Sequence, residues 1–248
     1  IWEWTECEGH LNRIDFHIHT VETASDSSGF NFDIEVLKDY VEGAHLAAIA
    51  ITNHNGFYRD NYDQVSKALD IAVFPGAEIN VTKLSGFGHV IIVADPADID
   101  DFASGMATLA GECPGSSDHM SWERVVELFP KISNWLIIPH YKKSKKLDSA
   151  TLSHIQSTTG YDALEVANAK KWLVERDGAD APLVVFSDCR PGLRMPDEDP
   201  DDNIRRYAYG YTYLQCNEMS FSSIKAAFAN ANNVEIFPTD RDFEILPE

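Results

Sequence analysis

The sequence predicts an α/β barrel carried by one domain, and three observations lead there. Apolar runs of strand length alternate with amphipathic helical segments along most of the chain. Seven or so such units fit into 248 residues, a length at which α/β barrels form a single domain. Most strand runs also end in histidine, glutamate or aspartate, at the end of a barrel where polar side chains gather.

Taken in order, residues 1–13 are mixed and aromatic, with Trp2 and Trp4 expected to pack against the body. Ile14-Asp15-Phe16-His17-Ile18-His19-Thr20 is the first strand. Alternate residues of a strand share a face, so Asp15, His17 and His19 point one way and the two imidazoles can meet one ion. A solvent-facing His-x-His pair has the same spacing. Residues 21–31 form a polar loop long enough to fold over a site, and Asn31 or Asp33 can cap the next helix, in which Ile34, Leu37 and Val41 recur at helical period. Leu46-Ala47-Ala48-Ile49-Ala50-Ile51-Thr52 reads as a buried parallel strand ending at Asn53-His54-Asn55-Gly56. Residues 62–69 are helical, 71–74 extended, and after Pro75-Gly76-Ala77 the third strand closes on Glu78.

Gly88-His89-Val90-Ile91-Ile92-Val93 is a fourth strand, exceptional in carrying its histidine at the start. A Ser-capped helix spans 121–129, and the run from Trp135 ends in Ile138-Pro139-His140. Helices at 150–158 and 169–176 flank Ala163-Leu164-Glu165-Val166, and Pro182-Leu183-Val184-Val185-Phe186 ends in Ser187-Asp188-Cys189-Arg190. Residues 196–203 are an acidic, solvated loop. A strand with alternating tyrosines (207–215), a capped helix (220–229) and a short strand (234–237) complete the chain. Strands joined by helices imply a parallel sheet with right-handed crossovers.

Composition narrows the function. With 20 basic against 40 acidic residues the net charge is −20, which opposes unaided wrapping of a polyanion, while a small anionic substrate held by metals stays open. Cys7, Cys113, Cys189 and Cys216 lack C-x-x-C spacing, so reduced cytosolic thiols are the simplest reading. No run of 18 apolar residues and no signal peptide are found, which predicts a cytoplasmic protein without a membrane segment. The start at Ile1 rather than Met leaves a neighbouring domain open.

Five strand ends bearing imidazole or carboxylate point to one convergent metal site. Mixed ligands of this kind suit Zn, Mn or Fe better than Mg or Ca. There is no G-x-S-x-G elbow, Walker loop or Cys-His pair placed for nucleophilic catalysis. Asp118-His119, in a Gly- and Ser-rich loop, reads as a solvated loop pair, with lining of the mouth as the alternative. His10, His45 and His154 read as structural or exposed, and Cys189 as a buried small hydrophobe.

Asp15-Phe16-His17-Ile18-His19-Thr20, Ile51-Thr52-Asn53-His54-Asn55, Pro75-Gly76-Ala77-Glu78-Ile79, Gly88-His89, Ile138-Pro139-His140 and Ser187-Asp188 together resemble the PHP (polymerase and histidinol phosphatase) superfamily, over residues 14–235. The resemblance implies a distorted (β/α)7 TIM-like barrel with its active site at the C-terminal strand ends, in one domain over 1–248 with a core at about 14–237. It implies two or three divalent ions and hydrolysis of phosphate esters. His17, His19, Glu78 and Asp188 would hold one ion, and Glu78 would bridge to a second held by His89 and His140. A third would use His54, a residue of the 21–26 loop such as Asp26, and a histidine two positions after Asp188.

Arg190 stands at that last position and Asn53 replaces an aspartate often seen before His54, so a complete third site is in doubt. Arginine stays protonated and cannot ligate a cation. We expect Arg190 to place a fixed positive charge there and grip substrate phosphate, against the alternative of a surface arginine. His54 is a partial third ligand or a general acid. Asp15 either orients a ligating histidine or makes a structural hydrogen bond. Residues 206–214 and 220–228 look like the end of PHP modules that precede an AAA-like or SMC-like ATPase, which would make such a domain or subunit a partner. The expected substrate is a phosphate ester, small or at a nucleic-acid end. The alternatives are a metal-binding regulatory module, and an amidohydrolase-type barrel cleaving C–N bonds, disfavoured because Glu78 sits early and no strand-end lysine is seen.

Overall fold

The structure, a computed structural model, describes residues 11–26, 30–192 and 212–236. Trp2, Trp4, Cys7, His10, the acidic loop and residues 206–211 lie outside the described residues. Among those described, the order is β1 (Leu11–Ile18), α1 (Ile34–Gly43), β2 (Leu46–Ile51), α2 (Arg59–Ala68), β3 (Ala72–Thr82), β4 (Phe87–Val93), α3 (Ile99–Glu112), α4 (Trp122–Leu128), β5 (Leu136–Pro139), α5 (Ser149–Thr158), β6 (Leu164–Glu165), α6 (Ala169–Glu175), β7 (Leu183–Val184), β8 (Thr212–Gln215), α7 (Phe221–Phe228) and β9 (Val234–Ile236).

A seven-stranded sheet in the order β5-β4-β3-β2-β1-β8-β9 curls into a half-barrel, and β6-β7 form a separate pair. Single parallel bridges, His140 to Glu165 and Ile18 to Cys189, tie that pair to β5 on one side and β1 on the other. The expected all-parallel sheet is not what forms. β1, β2 and β3 are parallel, whereas β4 runs against both β3 and β5, and β8 runs against β1. The link from β3 to β4 is a tight turn closed by Lys83 N–H donating to Gly86 O at 3.1 Å, with Gly86 at φ +73°. A turn that short permits only an antiparallel partner, because a parallel one needs a crossover of a dozen residues or more.

This reversal explains His89. Since β4 runs opposite to β3, its first residues lie beside the last residues of β3, and His89 pairs with Asn80. Glu78 likewise lies inside a continuous eleven-residue strand instead of closing a shorter one. Gly76 lets that strand through: a Cβ there would meet Ile92 O at 2.8 Å and Thr52 Cγ2 at 2.9 Å.

Helices start where side chains satisfy the free amides of the first turn. Asp33 caps α1, Ser121 α4, Asp148 α5, Asn168 α6 and Ser220 α7. The main core runs from β3–β5 to the aromatic cluster of Phe102, Phe129 and Trp135, whose rings meet at 5.5–5.9 Å. A second cluster fills the space between β1, β2, α1 and α2. No helix among the described residues is long and apolar enough to cross a membrane.

Candidate metal centre

His17 and His19 leave the end of β1, His54 follows β2, Glu78 lies in β3, His89 opens β4, His140 follows β5 and Asp188 follows β7. All converge at one end of the sheet, and all but Asp188 are buried. Asp188 sits at φ +54°, a left-handed turn that Asp tolerates better than most residues. Its side chain, 35% exposed, marks the mouth.

Glu78 is the hub. Its Oε2 lies 3.2 Å from His17 Nε2, 3.4 Å from His19 Nε2 and 2.8 Å from His54 Nδ1. Its Oε1 meets His89 Nδ1 in a very short contact and lies 3.3 Å from His140 Nε2. Asp188 Oδ1 stands 3.4 Å from His17 Nε2 and 3.3 Å from His19 Nε2. The two oxygens of one carboxylate thus face two different sets of histidines.

This donor set fits divalent ions. His17 Nε2, both ring nitrogens of His19, His54 Nδ1, Glu78 Oε2 and His140 Nε2 are buried without a hydrogen-bond partner. Folded proteins rarely leave buried polar atoms unpaired, and six of the nine such side-chain atoms among the described residues lie at this one place. A tetrahedral shell with bonds of about 2.0–2.2 Å holds its ligand atoms roughly 3.3–3.6 Å apart. The four distances linking His17 and His19 to Glu78 and Asp188 are 3.2–3.4 Å. His17, His19 and Asp188 form one group of mutually close ligand atoms, His19, His54 and Glu78 a second, and Glu78, His89 and His140 a third.

Electrostatics agree. Burial opposes charge on His17, but Asp188, Glu165 and Glu78 outweigh it and raise the imidazole to about 10. Burial dominates at His19 and lowers it to about 4. Burial also pushes the Glu78, Glu165 and Asp188 carboxyls up, yet the facing cations hold all three well below the usual carboxylate range: His17 first for Glu78 and Asp188, Lys143 first for Glu165. In the ion-free protein one proton on His17 therefore carries charge that a bound cation would otherwise supply.

Glu165 and Lys143 were missed from the sequence. Glu165 is fully buried, its Oε1 3.0 Å from His17 Nδ1 and its Oε2 2.9 Å from His140 Nε2. It is a fourth kind of contributor, grouping with His17 and His140. Its signal was partial, a carboxylate closing a short strand inside the run Ala163-Leu164-Glu165-Val166. Lys143, 8% exposed, donates to Glu165 Oε1 at 2.8 Å and approaches Asp188 Oδ2 at 3.5 Å. It stands in the loop three residues past His140, so a lysine does reach the site, as an ion-pair partner. Burial weighs against its charge, but Glu165 and Asp188 raise its pKa.

Asp15 does not orient an imidazole. Its carboxylate accepts from His17 N–H at 3.2 Å, Tyr40 OH at 2.6 Å, Ser187 N–H at 3.2 Å and, in a very short bond, the Ser187 hydroxyl. It braces β1 against α1 and the end of β7, the structural alternative. Glu165 holds the His17 ring instead.

Arg190 lies among Asp26, Asp188 and His54. Its Nε donates to Asp26 Oδ1 at 2.6 Å, its Nη1 to Asp188 O at 3.0 Å and Oδ1 at 3.1 Å, and its Nη2 sits 3.3 Å from His54 Nε2. The fork expected to grip substrate is thus engaged with Asp26 and Asp188. Asp26, also bonded by Thr23, is 4.0 Å from His19 Nδ1 and outside the groups above. Asn53 Oδ1 accepts from Thr20 N–H at 2.7 Å and Val21 N–H at 2.9 Å, fixing the turn after His19. Exposed His119 stacks on Phe87, which stacks on His89, so this loop histidine lines the rim. His45 and His154 are exposed, and Cys189 is buried with its thiol pushed up by burial, as expected.

No protein-family model matches the sequence, and no curated protein does. Solved structures do match. A two-domain protein from Bacteroides vulgatus containing a predicted PHP-like metal-dependent phosphoesterase aligns with a TM-score of 0.60 and 15% identity, over 94% of this chain and 66% of that one. The fold is PHP-like. A candidate metal-dependent phosphoesterase from Bifidobacterium adolescentis aligns with a TM-score of 0.53 and 13% identity over 80% and 96% of the two chains. PsfC from Pseudomonas syringae gives 0.55 and 14% over 94% and 93%. That likeness is one of fold, the curled sheet included; one helix per strand is not the pattern of this chain.

Proposed function

We propose that this chain is a PHP-superfamily phosphoesterase that hydrolyses phosphate esters at two divalent transition ions. The division of Glu78, with Oε2 toward His17 and His19 and Oε1 toward His89 and His140, carries the reading. His17, His19, Glu78 and Asp188 would hold one ion, and Glu78, His89 and His140, with Glu165 beside them, the other. Ions bound by these residues would supply an activated water and neutralise charge on the oxygens of a displacement at phosphorus. The protein's own part is positioning and charge balance. Glu165 fixes the His17 ring, Nδ1–H toward the carboxylate, leaving Nε2 for ligation. His54 turns Nδ1 to Glu78 and Nε2 to Arg190, which favours a ligand or bracing role over proton donation to a leaving oxygen. Arg190 supplies fixed charge between Asp26, Asp188 and His54, in place of a third ion.

Elemental analysis of protein purified without chelator, joined to a Mn- and Zn-supplemented screen of phosphate monoesters, diesters and amides, tests this. We expect two transition ions per chain and phosphoester turnover, with His17→Ala and Asp188→Ala losing both. Fewer than two ions, or metal content untouched by these substitutions, would sink the assignment; turnover of amides alone would favour the amidohydrolase reading.

A further inference from the structure

We infer that residues 141–147 form a strap that fixes the hydrogen of the His140 ring, with Gly88 as the positioning residue that lets the strap lie against the centre. This rests on the two-ion reading above. The strap leaves β5 through His140 and turns back onto the start of β4. Its backbone makes three contacts there: Lys145 O accepts from His89 N–H at 2.9 Å, Ser144 O lies 3.1 Å from His140 Nδ1, and Leu147 N–H donates to His140 O at 3.0 Å. His140 N–H in turn donates to His89 O at 3.0 Å. Lys143 Nζ reaches Glu165 Oε1 from the same segment at 2.8 Å. One short segment therefore touches His89, His140 and Glu165.

A carbonyl oxygen only accepts, so the Nδ1 that faces Ser144 O carries a hydrogen. The other ring nitrogen, Nε2, faces Glu165 Oε2 at 2.9 Å and Glu78 Oε1 at 3.3 Å. A neutral imidazole has one N–H, and both sides of this ring offer an acceptor. Were the hydrogen to settle on Nε2 toward Glu165, the nitrogen aimed at the ion could not ligate. Ser144 O holds it on Nδ1 and leaves the Nε2 lone pair for metal, as the partner on one ring nitrogen decides what the other can bind.

Gly88 makes this approach possible. A Cβ there would meet Leu147 Cδ2 at 2.5 Å, Lys145 O at 2.9 Å and Lys146 O at 3.0 Å. Two of those atoms are backbone, so a side chain at 88 displaces the strap itself and cannot be absorbed by one rotamer change. Gly88 is not at positive φ, so space and not conformation calls for glycine. At the far side Lys145 turns the strap at φ +53°, and Leu147 anchors it in the core.

Chelator competition for Zn on the full chain, joined to proton–nitrogen correlation spectra of its imidazoles, tests the strap. In the unmutated protein His140 Nδ1 should carry its hydrogen. Gly88→Ala should weaken by about 10–100-fold the binding step that His89→Ala removes, spare the step that Asp188→Ala removes, and move the His140 hydrogen to Nε2. Gly111→Ala, in α3, where an added Cβ meets nothing within 4 Å, should change neither affinity nor spectrum. Should Gly88→Ala fail to fold, Lys145 carries the test from the surface. Proline cannot adopt φ +53° and glycine can. Lys145→Pro should therefore reproduce the loss, whereas Lys145→Gly, which removes the same ammonium, should keep both ions and the Nδ1 hydrogen. An Nδ1 without hydrogen in the unmutated protein, unchanged affinity in folded Gly88→Ala or in Lys145→Pro, or an equal loss in Lys145→Gly would overturn the proposal. If the unmutated protein binds fewer than two ions, the phosphoesterase reading fails on its own, and the spectra of the ion-free chain and its Lys145 variants still decide the strap.

Discussion

Arg190 Nε donates to Asp26 Oδ1 at 2.6 Å, joining the 21–26 loop to the left-handed turn at Asp188. The Asp26 side chain is fully buried in this pair, and its carboxyl is held below the ordinary range: burial raises it, but His19, Thr23 and Arg190 together prevail. Removing Arg190 strands that charge and takes a fixed cation from beside the centre.

We therefore expect Arg190→Ala to raise KM for a phosphate monoester by about tenfold or more, the scale of losing one charged contact. Arg190→His should do something different. An imidazole between Asp26 and His54 completes a third ligand set, and elemental analysis should find three ions per chain instead of two. An unchanged KM in Arg190→Ala would end the idea that its charge serves substrate.

Metal uptake should depend on pH with a definite sign. His17, raised to about 10 in the ion-free protein, is protonated at neutral pH and must lose a proton to ligate. Loading Mn at neutral pH in weak buffer should release at least one proton, and apparent affinity should climb with pH up to about 10. For stability, the raised imidazole contributes fully below its unfolded value of about 6.5 and loses that contribution as pH rises through about 10. The depressed carboxyls of Glu78, Glu165 and Asp188 contribute above about 4 and lose it in acid. Tm of chelator-treated protein should fall on both sides, and the gain in Tm from Mn should grow from pH 6 to 9, roughly the interval over which His17 still holds its proton. A gain that shrinks with rising pH would contradict the charge assignment.

Much of the centre was legible because candidate ligands recur at the ends of apolar runs. His17, His19, His54, His140 and Asp188 stand out that way, and strand period alone puts His17 and His19 on one face. What escaped has physical causes. Strand direction is set by the length of a connection, and the turn at 83–86 was not recognised, so His89 looked anomalous and Glu78 looked terminal. Helix α3 was overlooked because Asp98 before it and Asp100 and Asp101 in its first turn give its start a loop-like composition, although Phe102, Met106 and Leu109 keep helical spacing and are buried. Glu165 ends a strand of only two residues, but Val166 follows it in the sequence, so the apolar run did not mark it as a strand end. Lys143 lies in a loop, and no periodicity reports where a loop side chain turns.

Glu165 offers the sharpest separation between ligand and support. Its Oε1 accepts from both His17 Nδ1 and Lys143 Nζ, while its Oε2 sits 2.9 Å from His140 Nε2. If it only orients His17, Glu165→Gln keeps a hydrogen-bonding partner for the ring and should weaken ion affinity about 10–100-fold, with two ions still bound at saturation. If it is itself a ligand of the ion shared with His140, one ion should be lost outright and His140→Ala should lose the same one. Competition against a chelating indicator, with ion counts at saturation, distinguishes the two. We expect the first outcome, because Lys143 already balances the Glu165 charge and leaves Glu78 to neutralise the ions. Lys143→Met supplies the complementary check. Stranding a buried carboxylate costs about 3–5 kcal/mol, so the ion-free variant should unfold markedly earlier, and the loss should shrink once ions are bound and Glu165 can turn toward one.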